Sequence, residues 1–229
     1  MKVDLEPAYV LHTRAYRETS LIVELLTAHQ GRKGVVAKGA RRAKSPLKAL
    51  LQPCRPILVS WSGRGDLGSL TGAEAAGPAP VLAGRALWSA LYVNELLERL
   101  VRRDEPQEGL FQVYVQTLAV LAEADDPEPT LRLFERDLLE VCGYGLILDH
   151  AVDSGAAIEA DARYYYRPDQ GPGAEDDGES LPVTGATLLA LDRGELGSAE
   201  IRREAKRLMR TALAPHLGDR PLKSRELFQ

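Results

Sequence analysis

Over the first 77 residues, hydrophobic and polar positions alternate in short runs. In Ala8–Arg14, Tyr9, Leu11 and Thr13 fall on one face and Val10 and His12 on the other, which is the two-residue period of a strand half buried in a sheet. Leu21–Thr27 is a second run rich in branched side chains. His29-Gln30-Gly31-Arg32 supplies turn chemistry before a third run, Lys33–Lys38. Pro56–Trp61 is a fourth, and Leu67–Thr71 a fifth, after the turn Gly63-Arg64-Gly65-Asp66. Five short strands joined by turns predict a small barrel. The OB-fold is the five-stranded solution, with an SH3-like barrel as the structural alternative.

Gly77-Pro78-Ala79-Pro80 marks a boundary, after which the period lengthens. Leu87, Leu91, Asn94, Leu97 and Val101 recur every three to four residues, widened by Val93, Leu96 and Leu100, and predict a buried amphipathic helix. Leu110, Val113, Tyr114, Thr117, Leu118 and Leu121 form a second helical stripe, and Leu131, Phe134, Leu138 and Val141 a third, closed by Gly143-Tyr144-Gly145. Residues 151–182 break the pattern. Arg163–Arg167 reads as one strand of a hairpin, and Gly171–Glu179 as a polar, acidic, mobile loop. Thr184 caps a further helix. The last helix turns Ile201, Ala205, Leu208, Met209, Ala212 and Leu213 inward, and Arg202, Arg203, Lys206, Arg207 and Arg210 outward. The fold class read from the chain is therefore α+β: an OB-fold barrel over 1–77, then an α-helical domain over 78–229 with an irregular and β insertion at 151–182.

Composition changes this picture through the distribution of charge. The net charge is -4 over 229 residues. Residues 1–72, however, hold twelve Lys or Arg against five Asp or Glu, and the remainder carries the acidic excess. No carboxylate occurs between Glu24 and Asp66, where Arg32, Lys33, Lys38, Arg41, Arg42, Lys44, Lys48, Arg55 and Arg64 all lie. Such a stretch produces a local positive potential of the kind phosphate backbones seek. Two distant cysteines, Cys54 and Cys142, make neither a disulfide framework nor a zinc cluster and fit a reducing cytoplasm. Met1–Pro7 has no apolar run of the secretory kind, and no stretch is apolar enough to span a membrane.

Catalytic chemistry is not apparent. There is no phosphate-binding GxxxxGK[ST] loop, and Gly31-Arg32-Lys33-Gly34 and Gly63-Arg64-Gly65 are basic turns rather than dinucleotide fingerprints. His12, His29, His150 and His216 have no ligand spacing, and Asp125-Asp126 and Asp176-Asp177 lie in loops. The positive signal is Lys38–Lys48, a loop with five cations after a strand. A basic loop beside a barrel groove is what an electrostatic track for single-stranded DNA requires. Tyr9, Tyr16 and Trp61 are the few aromatics at hand for stacking, so binding is expected to be backbone-directed and poor in sequence preference.

Several segments, in this order and spacing, resemble the RecO family of bacterial DNA repair and recombination mediators. They are Ala8–Arg14 with Glu18–Leu21, Val36–Arg41, Leu50–Pro53, Leu91–Leu97, Leu131–Glu135, Gly143–Gly145 and the tail Gly218–Phe228. The resemblance implies an OB-fold joined to a helical domain and a non-enzymatic, cytoplasmic, nucleoid-associated protein. It implies binding of single- and double-stranded DNA, annealing of complementary strands, and partnership with RecR and the single-stranded DNA-binding protein SSB, so that RecA is loaded on coated DNA. No cofactor is implied. Some members hold a four-cysteine zinc site after the third helix; the matching stretch here, His150 to Asp161, has no cysteine, so no metal is expected. The residues expected to meet DNA are Arg14, Arg32, Lys33, Lys38, Arg41, Arg42, Lys44, Lys48 and Arg64. For the acidic, Phe-ending tail of SSB, the expected cations are Arg132, Arg203, Lys206, Arg207 and Arg210. The alternatives are a protein-binding OB adaptor with no direct DNA role and a hydrolase with an unrecognised site.

Overall fold

The computed structural model describes residues 2–63 and 65–228. Five strands close a barrel: β1 (Lys2–Tyr16), β2 (Ser20–Thr27), β3 (Arg32–Ala37), β4 (Pro56–Ser62) and β5 (Leu67–Ala75), in the order β1-β2-β3-β5-β4. Closure depends on β1, which is long enough to serve two neighbours. Its first half pairs with β4 and its second with β2, and register shifts after Val3 and after Val10 bend it between them. The last closing pair, β3 with β5, is parallel. This connectivity is that of the OB-fold and not of an SH3-like barrel.

The barrel interior is filled from alternate positions by Val10, Val23, Leu25, Val35, Ile57, Val59 and Trp61. Trp61, 2% exposed, is accommodated by Gly68 across the β4–β5 pair, where a Cβ would lie 2.9 Å from the indole ring.

The β3–β4 connection carries one short turn of helix, α1 (Leu47–Leu50), and two longer helices follow the barrel, α2 (Gly84–Leu100) and α3 (Leu110–Glu123). Of the predicted stripe on α2, Val93, Asn94, Leu96, Leu97 and Val101 are buried. Ser89, Ala90, Tyr92, Val93, Asn94, Leu96 and Leu97 are buried, whereas Leu87 reaches solvent. Asn94, set on the buried face by its spacing, is buried because it joins three elements. Its Nδ2 donates to the Leu11 carbonyl of β1 at 2.9 Å, and its Oδ1 accepts from the Tyr114 hydroxyl of α3 at 2.8 Å. Nδ2 also lies 3.5 Å from the Cys54 sulfur, and burial pushes that thiol up to about 11. Replacing Asn94 by leucine would leave the Leu11 carbonyl without this donor and the Tyr114 hydroxyl with only the weakly bonding Cys54 sulfur. The expected loss is about 2 kcal/mol or more of unfolding free energy by urea titration, with Tyr114→Phe losing about 1 kcal/mol.

Two compact units emerge. The first comprises 1–124 together with 221–229, and the second 125–220. The division thus groups α2, α3 and the tail with the barrel. The tail, a 3-10 turn over Lys223–Phe228, is fastened to α2 by the Glu95 carboxylate. That group accepts from the Lys223 and Ser224 N–H groups at 3.0 and 2.8 Å and from the Ser224 hydroxyl at 2.6 Å. Burial alone would raise the Glu95 carboxyl. The Ser224 and Lys223 hydrogen bonds and nearby Arg99 outweigh it and hold the group below its ordinary value. A depressed carboxyl contributes stability above its unfolded value and loses it as pH falls through the folded one. The melting temperature is therefore expected to fall more steeply between about pH 5 and about pH 3 in the wild type than in Glu95→Gln, the two converging at the acid end.

The second unit contains α4 (Glu128–Val141), a three-stranded sheet of β6 (Arg163–Arg167), β7 (Gly171–Gly173) and β8 (Leu181–Thr184) in the order β7-β6-β8, then α5 (Gly185–Arg193) and α6 (Ala199–Leu217). The β part of the insertion is a three-stranded sheet in which Arg163–Arg167 is the central strand. Its acidic loop is pinned: Asp177 accepts from Arg167 at 2.6 Å and from the Glu179 and Ser180 N–H groups. Thr184 caps α5 as expected, accepting from the Thr187 N–H, and Ser198 caps α6 through the Ile201 N–H. Among the described residues, no helix is long and apolar enough to cross a membrane.

Candidate nucleic-acid interface

The loop from Lys38 to Lys48 is built as consecutive turns. Gly39 adopts φ +72°, its carbonyl accepts from the Arg42 N–H at 3.1 Å, and the Arg42 carbonyl accepts from Ser45 at 3.0 Å. Turns of this kind leave side chains splayed outward, and Lys38, Arg41, Arg42, Lys44 and Lys48 are all exposed. Of these, Lys38, Arg42, Lys44 and Lys48 form no ion pair among the described residues. Arg41 anchors the loop to the neighbouring β1–β2 turn. Its N–H donates to the Thr19 carbonyl at 2.9 Å, and its Nη1 to the Arg17 and Glu18 carbonyls at 3.2 Å each. That contact brings the loop together with Arg14, exposed near the end of β1, and Arg17, exposed in the turn. Arg17 was not anticipated from the sequence, because Glu18 beside it hides its charge in a local count.

Arg32 and Lys33, also expected to meet DNA, are engaged in ion pairs within the first unit. Both are held by the segment that leaves α2. Arg32 donates through Nη1 to Glu24 at 2.9 Å and through Nε to the Val101 carbonyl at 2.8 Å. Lys33, 8% exposed, donates to Asp104 at 2.6 Å and to the Gly65 carbonyl at 3.2 Å. Arg103 completes the cluster with a second charge on Glu24, its Nε at 3.0 Å and its Nη2 also bonded to that carboxylate. Burial lowers the Arg32 guanidinium, whereas the hydrogen bond to Glu24 raises that of Arg103. These cations hold the first unit together. Arg64 lies outside the described residues.

The cations expected to meet an acidic tail divide similarly. Arg203 and Arg210 are exposed on α6, with Arg207 on the same face donating to the Pro182 carbonyl at 3.2 Å. Spacings of four and three residues set these three along one stripe. Lys206 is turned toward Glu128 at 2.7 Å. Arg132 departs from expectation: it is 4% exposed and its Nη2 donates to Glu135 at 2.6 Å. It therefore supports α4 from within.

The second unit also has a cavity of about 370 Å³, where Tyr144 stacks on His216 at 4.1 Å and His216 Nε2 lies 3.4 Å from Asp169. No serine, threonine, cysteine or lysine lines it. Burial and the nearby Asp169 push the Tyr166 hydroxyl up to about 12. The 150–161 stretch is folded on itself through Ala151 to Ala156 and Ile158 to Asp149, with Ile158 buried. No cluster of three His, Cys, Asp or Glu suited to a metal is found among the described residues, and the donors along that stretch do not fit a zinc ion.

Comparison with known proteins places these features in a context. The family model described as Recombination protein O N terminal matches residues 1–79, and Recombination protein O C terminal matches 82–226. Proteins named DNA repair protein RecO from Nitrosococcus oceani, Methylococcus capsulatus and Haemophilus influenzae are 53%, 50% and 44% identical to the chain. Each alignment covers 100% of the chain, and 94%, 94% and 97% of the respective relatives.

Proposed function

Because the chain belongs to the RecO family of DNA repair proteins, we propose that it binds single- and double-stranded DNA through the barrel surface formed by the 38–48 loop and the β1–β2 turn, and anneals complementary strands there. The observation that carries this reading is the run of exposed, unpaired cations on one loop, fastened to a second cationic turn by Arg41. Two polyanions approach each other only over a surface that screens both. Phosphate contacts supply that screening without holding base edges, so the strands remain free to pair.

In the same reading the protein acts in the company of RecR and helps load RecA on SSB-coated DNA without an enzymatic step or a nucleotide cofactor. The α6 stripe of Arg203, Arg207 and Arg210 would receive the carboxylates of the SSB tail. An annealing assay with complementary oligonucleotides, bare and SSB-coated, tests the proposal. Acceleration in both cases is expected. No acceleration, with no binding to either strand at low salt, would favour a protein-binding adaptor instead.

A further inference from the structure

We propose that Tyr16 is a base-stacking platform of this surface, and that it gives the barrel its preference for single strands over duplex. The inference rests on the DNA-binding reading above. Residues 1–79 contain three aromatic side chains, Tyr9, Tyr16 and Trp61, and two of them are committed elsewhere. Trp61 fills the barrel interior. Tyr9 packs against the rings of Tyr114 and Phe111, at 5.2 and 5.8 Å between centroids, and burial, with Cys54 adding to it, raises its hydroxyl.

Tyr16 differs in place and in company. It is the last residue of β1, half-buried, and opens the turn to which Arg41 anchors the cationic loop. The Arg17 guanidinium lies over its ring, 5.1 Å from the centroid, which steadies the ring and sets a positive charge beside it. Glu18 is the one carboxylate in the turn and is exposed; Arg14, Arg17 and the loop cations outnumber it.

The chemistry that fits this arrangement is an unpaired nucleotide. A single strand offers a free base face at every residue and a phosphate on either side, whereas a duplex covers its faces with neighbouring pairs. One platform holds one base. That is enough to discriminate single strands and too little to prevent a held strand from pairing with its complement.

The test compares an oligo-dT, an abasic strand of equal length and a duplex by fluorescence anisotropy, with wild type, Tyr16→Ala, Tyr16→Phe and a Lys38/Arg42/Lys44→Ala triple variant. Wild type is expected to bind oligo-dT more tightly than the abasic strand. Tyr16→Ala should lose about 5- to 100-fold on oligo-dT with abasic and duplex binding little changed, and Tyr16→Phe should retain the discrimination. The triple variant should weaken on all three probes alike. Equal wild-type affinity for oligo-dT and abasic strands overturns the stacking proposal without requiring any variant to fold. So does a Tyr16→Ala loss that is the same on every probe, while the DNA reading stands. Wild-type binding to none of the probes overturns the DNA reading itself.

Discussion

Replacing Lys38, Arg41, Arg42 and Lys44 together by alanine is expected to weaken binding to a single-stranded oligonucleotide by about 10²- to 10³-fold near 0.1 M salt. The magnitude follows from counterion release. Each lost phosphate contact on a single strand removes about 0.7 from the slope of log affinity against log salt. Four contacts remove about 3, and over the decade between about 1 M salt, where the electrostatic contribution fades, and about 0.1 M that slope becomes the stated factor. The four side chains are exposed, so their truncation exposes no core and leaves no buried group unpaired. Arg41 alone has a second duty, bonding the Arg17 and Glu18 carbonyls. The variant that spares it isolates charge from loop geometry and should keep about three quarters of the slope change. Affinity and slope both unchanged would place the DNA track on another surface.

Glu24→Ala is expected to destabilise the first unit by about 3–5 kcal/mol, read from urea unfolding. The Glu24 carboxylate is 5% exposed and receives two guanidiniums, one from its own hairpin and one from the segment after α2. Taking an ion pair out of water is expensive, and removing Glu24 leaves the two guanidiniums with only the weaker charges of Glu98, Asp66 and Asp104 to offset them. Two arginines would then face each other across the Arg32–Arg103 bridge. Glu24→Gln should fall between, since the amide still accepts but carries no charge. Arg103→Ala should be milder than Glu24→Ala, because Arg32 stays on the carboxylate. A loss below about 1 kcal/mol for Glu24→Ala would show that water reaches the cluster and screens it as at a surface.

The barrel was legible in the chain because strand periodicity is a local property. The five alternating runs became the five strands, and the turn glycines fell between them. What local pattern cannot contain is the identity of distant partners. Arg32 and Lys33 look like the rest of the acid-free basic stretch, yet the carboxylate that takes Lys33, Asp104, stands 71 residues downstream. Arg132 was read as a surface cation because arginines usually are, but Glu135 at i+3 accompanies it into the interior. Asn94 shows the same limit: spacing set it on the buried stripe, but only the Leu11 carbonyl and the Tyr114 hydroxyl explain why a polar side chain is buried there. Within 151–182 the strand Arg163–Arg167 was legible, but β7 was not, because Gly171-Pro172-Gly173 is a strand without strand-forming residues. The exposure of the loop cations depends on no distant partner, and the basic loop was accordingly the most readable part of the candidate site.

The tail that returns to Glu95 also sets an order of assembly. Lys223 is 128 residues from the carboxylate it caps, so a ribosome delivers the barrel, α2 and α3 well before the segment that completes them. Through that interval the nascent first unit carries an unfilled seat for Leu222, which is buried in the finished protein, and a Glu95 with no Ser224 to bind. The second unit is spliced in sequence between 124 and 221, and its folding fixes the separation of its own two ends, removing much of the entropy otherwise lost in closing so long a loop. Maturation of the first unit is thereby made to wait on the second, and a chain stalled or clipped inside the insert leaves a barrel that has not yet received its last piece.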